Sequence, residues 1–182
     1  HASAGSYELA RRYYEEAASL GPDEAQPYLG LGVVSLQEGA LEDAETAFRV
    51  ACRLDGNCAR AYVGLAMVAQ EKGQYQRAFD MYLKSLELDT DDMTALLGLF
   101  QVSCRMGSFG KVIHYLELYL DMHPDDSSVM FTLAALYSKQ GQLGKAKRLL
   151  GDIVSLEPEN TDAADLLEEI EHALANRRSQ ES

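Results

Sequence analysis

Apolar positions along this chain recur in two short helical phases separated by a glycine, and the whole arrangement then repeats. Between Ala59 and Asp92, the residues Tyr62, Leu65, Val68 and Ala69 share one stripe of a helix, and Ala78, Tyr82, Leu86 and Leu88 share a stripe of a second. Gly73 lies between the stripes, where one helix ends and the chain reverses, which suits a residue indifferent to positive φ. Gly39, Gly107 and Gly141 stand in register with it at 34-residue intervals, and Gly5 continues the series upstream. A Leu-small pair repeats in step at Leu31-Gly32, Leu65-Ala66 and Leu133-Ala134, with Leu99-Phe100 as a misfit. Two residues after each glycine comes a Leu or an aromatic (Tyr7, Leu41, Tyr75, Phe109, Leu143). An alanine follows at Ala10, Ala44, Ala78 and Ala146, with Val112 the exception. Self-similarity at this period predicts a stack of helix pairs in which each pair contacts only its neighbours.

The period divides the chain. Residues 6–20 read as the second helix of a repeat whose first helix is missing, since Tyr7, Ala10, Tyr14, Ala17, Leu20 and Pro22 are all in register. Four full units are expected at 25–58, 59–92, 93–126 and 127–160, joined by short acidic loops such as Asp89-Thr90-Asp91-Asp92. Asp and Asn in those loops are placed to accept orphan amide protons at the next helix start. Residues 161–175 read as a capping helix with Ala163, Leu167, Ile170 and Leu174 toward the core. Glu168 stands there where earlier units carry a small residue, leaving one wet face. Residues 176–182 are expected as a flexible tail. The half repeat favours a chain cut from a longer array over one whose open face is covered by another chain.

The residues Tyr28, Leu31, Gly32, Gly39, Leu41, Ala44, Phe48 and Ala51, and again Tyr62, Leu65, Ala66, Gly73, Tyr75, Ala78 and Tyr82, together with Pro22, Pro124 and Pro158, resemble the tetratricopeptide repeat. The resemblance covers residues 5–174. It implies an all-α, right-handed superhelical solenoid of antiparallel helix pairs, whose first helices line a concave inner wall.

Composition narrows the partners. A formal net charge of −13, with no basic stripe, argues against nucleic acid and against an anionic membrane surface. Residues 157–182 carry eight acids against two arginines. No apolar run approaches the ~20 residues of a membrane span. The start of the chain lacks the basic and apolar regions of a secretory signal, so cytoplasm is the default expectation, with a bacterial envelope left open. Cys52, Cys58 and Cys104 are expected as reduced thiols, a Cys52–Cys58 bridge being the sharper alternative.

Catalytic chemistry is not expected. His1, His114, His123 and His172 are scattered, no His or Cys pair has metal-ligand spacing, and no loop has the twelve-residue calcium pattern. Gly30-Leu31-Gly32 lies inside a helix, without the third glycine or the strand of a dinucleotide fingerprint. Neither a cofactor nor a metal is therefore expected.

The functional signal lies on the inner wall. Periodicity assigns to it Leu29, Gly30, Val33 and Leu36, then Val63, Gly64, Met67 and Gln70, then Leu97, Gly98, Gln101 and Cys104, and last Phe131, Thr132, Ala135 and Ser138. Leu29, Val63, Leu97 and Phe131 form an apolar row, which read as exposed marks a binding surface. Gly30, Gly64 and Gly98 stand in helix interiors, where each costs about 0.5–1 kcal/mol against alanine. Two readings remain for them: crowding between neighbouring first helices, where only a hydrogen fits, or a channel floor that a partner approaches closely. Arg60, Arg105 and Lys139 edge the wall, and Asp162, Asp165 and Glu169 are expected to continue it on the capping helix.

Members of the family that hold a chaperone's C-terminal carboxylate present Lys and Asn where Leu29, Gly30, Val33 and Gly64 stand here, so that clamp is missing. The asparagine row of glycosyltransferase superhelices is replaced by Gly30, Gly64, Gly98 and Thr132. The expected function is a non-enzymatic interaction module. It would bind an amphipathic helix or extended apolar peptide of another protein, with a basic end, through Leu29, Gly30, Val33, Val63, Gly64, Met67, Leu97, Gly98, Gln101 and Phe131. Alternatives are a homo-oligomer docking through Tyr7, Ala10, Tyr13 and Tyr14, or the targeting arm of a larger enzyme.

Overall fold

The computed structural model describes residues 2–180. These form α1 (Ala2–Leu20), α2 (Ala25–Gln37), α3 (Leu41–Leu54), α4 (Ala59–Glu71), α5 (Tyr75–Leu88), α6 (Met93–Met106), α7 (Gly110–Met122), α8 (Ser127–Lys139), α9 (Leu143–Leu156) and α10 (Thr161–Gln180). No strand occurs among the described residues. The chain divides between Ser108 and Phe109 into two compact units. The expected third repeat is thereby shared between them, with α6 in the first and α7 in the second. Both misfits to the repeat pattern, Phe100 and Val112, fall in that repeat.

The turn glycines do what their spacing implies. Gly39, Gly73, Gly107 and Gly141 have φ of 76°, 71°, 69° and 74°, in the left-handed region. Each lets the following residue donate back to a carbonyl five positions earlier, as from Ala40 to Ser35 and from Gln74 to Ala69, both at 2.8 Å. Gly5 is a correction: it lies within α1, which already begins at Ala2.

The far end differs too. α10 continues five residues past 175, so residues 176–180 are helical where a tail was expected, while 181 and 182 lie outside the described residues. Neither glycine nor proline follows Leu174 to stop the helix, and Arg177 near its C-terminal end suits the helix dipole. Several loop acids cap as anticipated. The amides of Ala95, Val129 and Ala163 donate to side-chain oxygens of Asp92, Asp126 and Asn160, at 3.0–3.1 Å.

In the first unit the core runs through Ala44, Phe48, Ala51, Ala61, Leu65 and Val68, all buried. In the second it includes Leu116, Leu133, Ala146, Leu150, Ile153, Ala163 and Ile170. Alanine recurs at the closest approaches because its methyl lets two helix axes draw together. By contrast α1 is only half covered. Ala10, Tyr14 and Ala17 are partly exposed where their repeat equivalents Ala44, Phe48 and Ala51 are buried. Leu9, Tyr13 and Leu20 share one bare stripe, Leu20 being 82% exposed.

Ion pairs link several neighbouring elements of the first unit. Arg11 on α1 donates to Glu38, just past the end of α2. One repeat on, the polarity is reversed: Glu45 on α3 accepts from Lys72 and Arg77, each at 2.7 Å. Those two hydrogen bonds hold the Glu45 carboxyl down at about 2, from an ordinary 4.5. The folded chain therefore binds this proton less readily than the unfolded chain. The stabilisation is complete above about pH 4.5 and is lost as the pH falls toward 2. Melting curves of the native chain and of Glu45→Gln should differ by a constant amount from pH 7 to about 5, and the gap should narrow below about pH 4.5 and close near pH 2. A gap independent of pH across that window would dismiss the clasp.

Candidate functional site

The helix-interior glycines are seats for aromatic rings. An added Cβ on Gly64 would lie 2.5 Å from the ring of Phe48, and one on Gly32 would meet the same ring at 2.5 Å. Phe48, on α3, is thus wedged between the first helix of its own repeat and that of the next. Gly30 likewise receives the ring of Tyr14, and Gly98 that of Tyr82. Such distances are far inside van der Waals contact, so an alanine at any of these positions would displace a ring. Crowding there takes another form than the sequence reading gave it: the space a side chain would need is taken by a ring from the preceding second helix, not by a neighbouring first helix. The glycines still border the hollows described below.

The apolar row is corrected as well. Leu29 and Val63 are buried, at 4% and 7% exposure, whereas Leu97 is 53% exposed. Leu29 packs into the core cluster of Phe48, Leu65 and Val68. The bare apolar surface shifts one turn along α2 and α4, to Val33 and Met67. Phe131, half-buried, belongs to α8 in the second unit.

Along α2, α4 and α6 these residues line three adjoining hollows. One, of about 400 Å³, opens between Tyr13, Tyr14, Leu29, Gly30 and Val33. The next, of about 450 Å³, is bounded by Leu29, Val33, Phe48, Val63, Gly64 and Met67. The third, of about 340 Å³, lies among Met67, Tyr82, Leu97, Gly98 and Gln101. Leu29, Val33 and Arg60 are common to the first two, and Met67 and Thr94 to the second and third. The hollows therefore form one groove, and the candidate residues named from the sequence, Phe131 apart, all touch it.

Polar groups border the apolar floor. Asp89 and Asp92 edge the central hollow beside Arg60, Glu24 edges the first, and Glu71 the third. At the α6 end a relay crosses the wall: the Tyr82 hydroxyl donates to Gln70 Oε1 at 3.0 Å, and Gln70 Nε2 donates to Gln101 Oε1 at 3.1 Å. Burial, with Glu71 adding to it, pushes the Tyr82 phenol up to about 12, so it stays a donor. Sequence reasoning did not single out Tyr14, Asp89, Asp92 or this relay as groove residues. One signal was available within the chain: an aromatic at 14, 48 and 82 accompanies a glycine at 30, 64 and 98, while Leu116 accompanies Thr132.

Among the described residues no group of three or more His, Cys, Asp or Glu could hold a metal, and no helix is long and apolar enough to cross a membrane. None of the three cysteines is in a disulfide, and burial pushes the Cys52 thiol up to about 11.

Family models of the tetratricopeptide repeat match residues 1–57, 59–92 and 104–170. The chain belongs to the tetratricopeptide repeat family. Among solved structures, this tetratricopeptide repeat protein is similar to YrrB, described as a TPR protein with an unusual peptide-binding site. That match has a TM-score of 0.74 and 22% identity, and covers 92% of this chain and 87% of that one. MamA matches with a TM-score of 0.67 and 22% identity over 88% of this chain and 94% of its own. Pseudomonas aeruginosa pilF matches with a TM-score of 0.68 and 21% identity over 97% of this chain and 80% of its own. At these identities the likeness is one of fold. No curated protein matches the sequence.

Proposed function

We propose that this chain is a non-enzymatic interaction module that holds an apolar or amphipathic segment of another protein in the groove along α2, α4 and α6. The observation that carries the reading is the continuity of the three hollows, with Val33, Met67 and Leu97 bare on their walls. Burying such side chains against a partner contributes about 25 cal/mol per Å² of apolar surface removed from water. Four acids and one arginine border the groove, which favours a partner with basic residues beside its apolar anchors. The peptide site ascribed to YrrB, on the same fold, supports looking for one here.

Gly64 is the wrong residue to mutate for this test, since any side chain there moves Phe48. Met67 is better, being partly exposed and shared by two hollows. Two labelled synthetic probes serve: a Lys-flanked dodecapeptide of alternating Val and Thr, and an amphipathic Leu/Lys octadecapeptide helix. By fluorescence anisotropy, Met67→Glu should weaken the better binder at least about tenfold, while stability changes by no more than about 0.5 kcal/mol. Equal affinities for native chain and variant would remove the groove from consideration.

The bare stripe of Leu9, Tyr13 and Leu20 supports a second reading, self-association through α1. Sedimentation equilibrium of the native chain should then show a dimer that Tyr13→Glu dissociates. A monomer at all concentrations disposes of it.

A further inference from the structure

The third hollow is the second one moved along by a single repeat. Each of its eight lining residues, Met67 and Gln101 included, stands 34 positions after a residue lining the central hollow. The two sites are therefore built on the same backbone places, and only the side chains differ. In the central hollow those places hold Leu36, Phe48 and Met67; in the third they hold Gln70, Tyr82 and Gln101. An apolar trio has become a hydrogen-bonded one, with the Tyr82 hydroxyl donating to Gln70 Oε1 and Gln70 Nε2 donating to Gln101 Oε1. The ring seat is unchanged, because Gly98 takes Tyr82 as Gly64 takes Phe48. What is added is polarity alone.

The direction of that relay sets what the groove receives. Since the phenol donates, Gln70 must turn its oxygen to Tyr82 and its nitrogen to Gln101. Gln101 then accepts with its oxygen and keeps its amide N–H groups for the exposed side. An oriented amide on the wall serves a ligand whose own backbone still needs partners. A helical ligand has already used its backbone groups internally, whereas an extended one brings unsatisfied carbonyls into the groove. Resting on the groove reading above, we infer that the occupant is an extended segment, with an apolar side chain in the central hollow and a backbone carbonyl received by Gln101. Neighbouring packed helices lie about 8–10 Å apart. An extended chain rises about 3.3 Å per residue, so about three residues separate the apolar anchor from the carbonyl.

The same two probes test this, on the full chain. The Val/Thr peptide should bind more tightly than the Leu/Lys helix. Tyr82→Phe keeps the seated ring and removes only the proton that orients Gln70. It should weaken the Val/Thr probe about 3- to 10-fold, leave the helix probe unchanged and leave the melting temperature within about 2 °C. Gln101→Leu should reproduce the loss. Tighter binding of the helix, or Val/Thr affinity indifferent to both variants, overturns the assignment of an extended ligand. If Met67→Glu meanwhile weakens the better probe, the groove survives and only its occupant is wrong. If neither probe binds, or Met67→Glu changes nothing, groove and inference fail together.

Discussion

Phe48→Ala should lower the unfolding free energy by about 3–5 kcal/mol, the largest loss expected from any single truncation in the first unit. Phe48 is only 1% exposed, and its ring fills the space that two glycines on two different helices leave open. The local structure cannot collapse into that space by moving one side chain, since the walls on both sides are helix backbone. A cavity flanked by backbone relaxes little, which places the cost toward the upper part of the range for buried aromatics. Because each repeat is held mainly by its neighbours, loss of a ring shared by two repeats weakens their interface as well as the repeat itself. Urea titration followed by circular dichroism measures the effect. A loss below about 1 kcal/mol would mean that Gly32 and Gly64 do not need the ring.

The second large effect comes from the other side of the same contact. Gly64→Thr puts a branched side chain where the Phe48 ring lies and should destabilise by about 2–3 kcal/mol. Substituting a better helix former would ordinarily gain up to about 1 kcal/mol over glycine, so the sign alone is informative. The third and fourth repeats suggest the remedy, for they carry Leu116 and Thr132 at the positions of Phe48 and Gly64 shifted by two repeats. Phe48→Leu with Gly64→Thr should recover at least half of what Gly64→Thr loses. A double-mutant cycle makes the coupling measurable. Strict additivity would show that ring and glycine are not a matched pair.

Much of this was legible from the residues. Turn glycines, alanine approaches and apolar stripes are local requirements, each met within one helix pair, so the period announced them. Most residues that line the groove were also named, because wall positions follow from helical phase. Two things were misjudged. Gly5 carried the register of a turn but lies inside α1. Residues 176–180 were given to a tail although no residue there breaks a helix.

The chain's own order of residues determined that it is all helical, where it reverses, and which face of each first helix looks outward. Only the tertiary structure decided what fills the space over the glycines. A glycine in a helix records that something must come close, but says nothing of whether a neighbouring ring or a foreign chain does so. Likewise burial of Leu29 and Val63, and the hydrogen bonds from Tyr82 to Gln70 and from Gln70 to Gln101, depend on residues distant in sequence meeting across packed helices. Periodicity assigns a side chain to a face; its company on that face is set by how neighbouring helices pack.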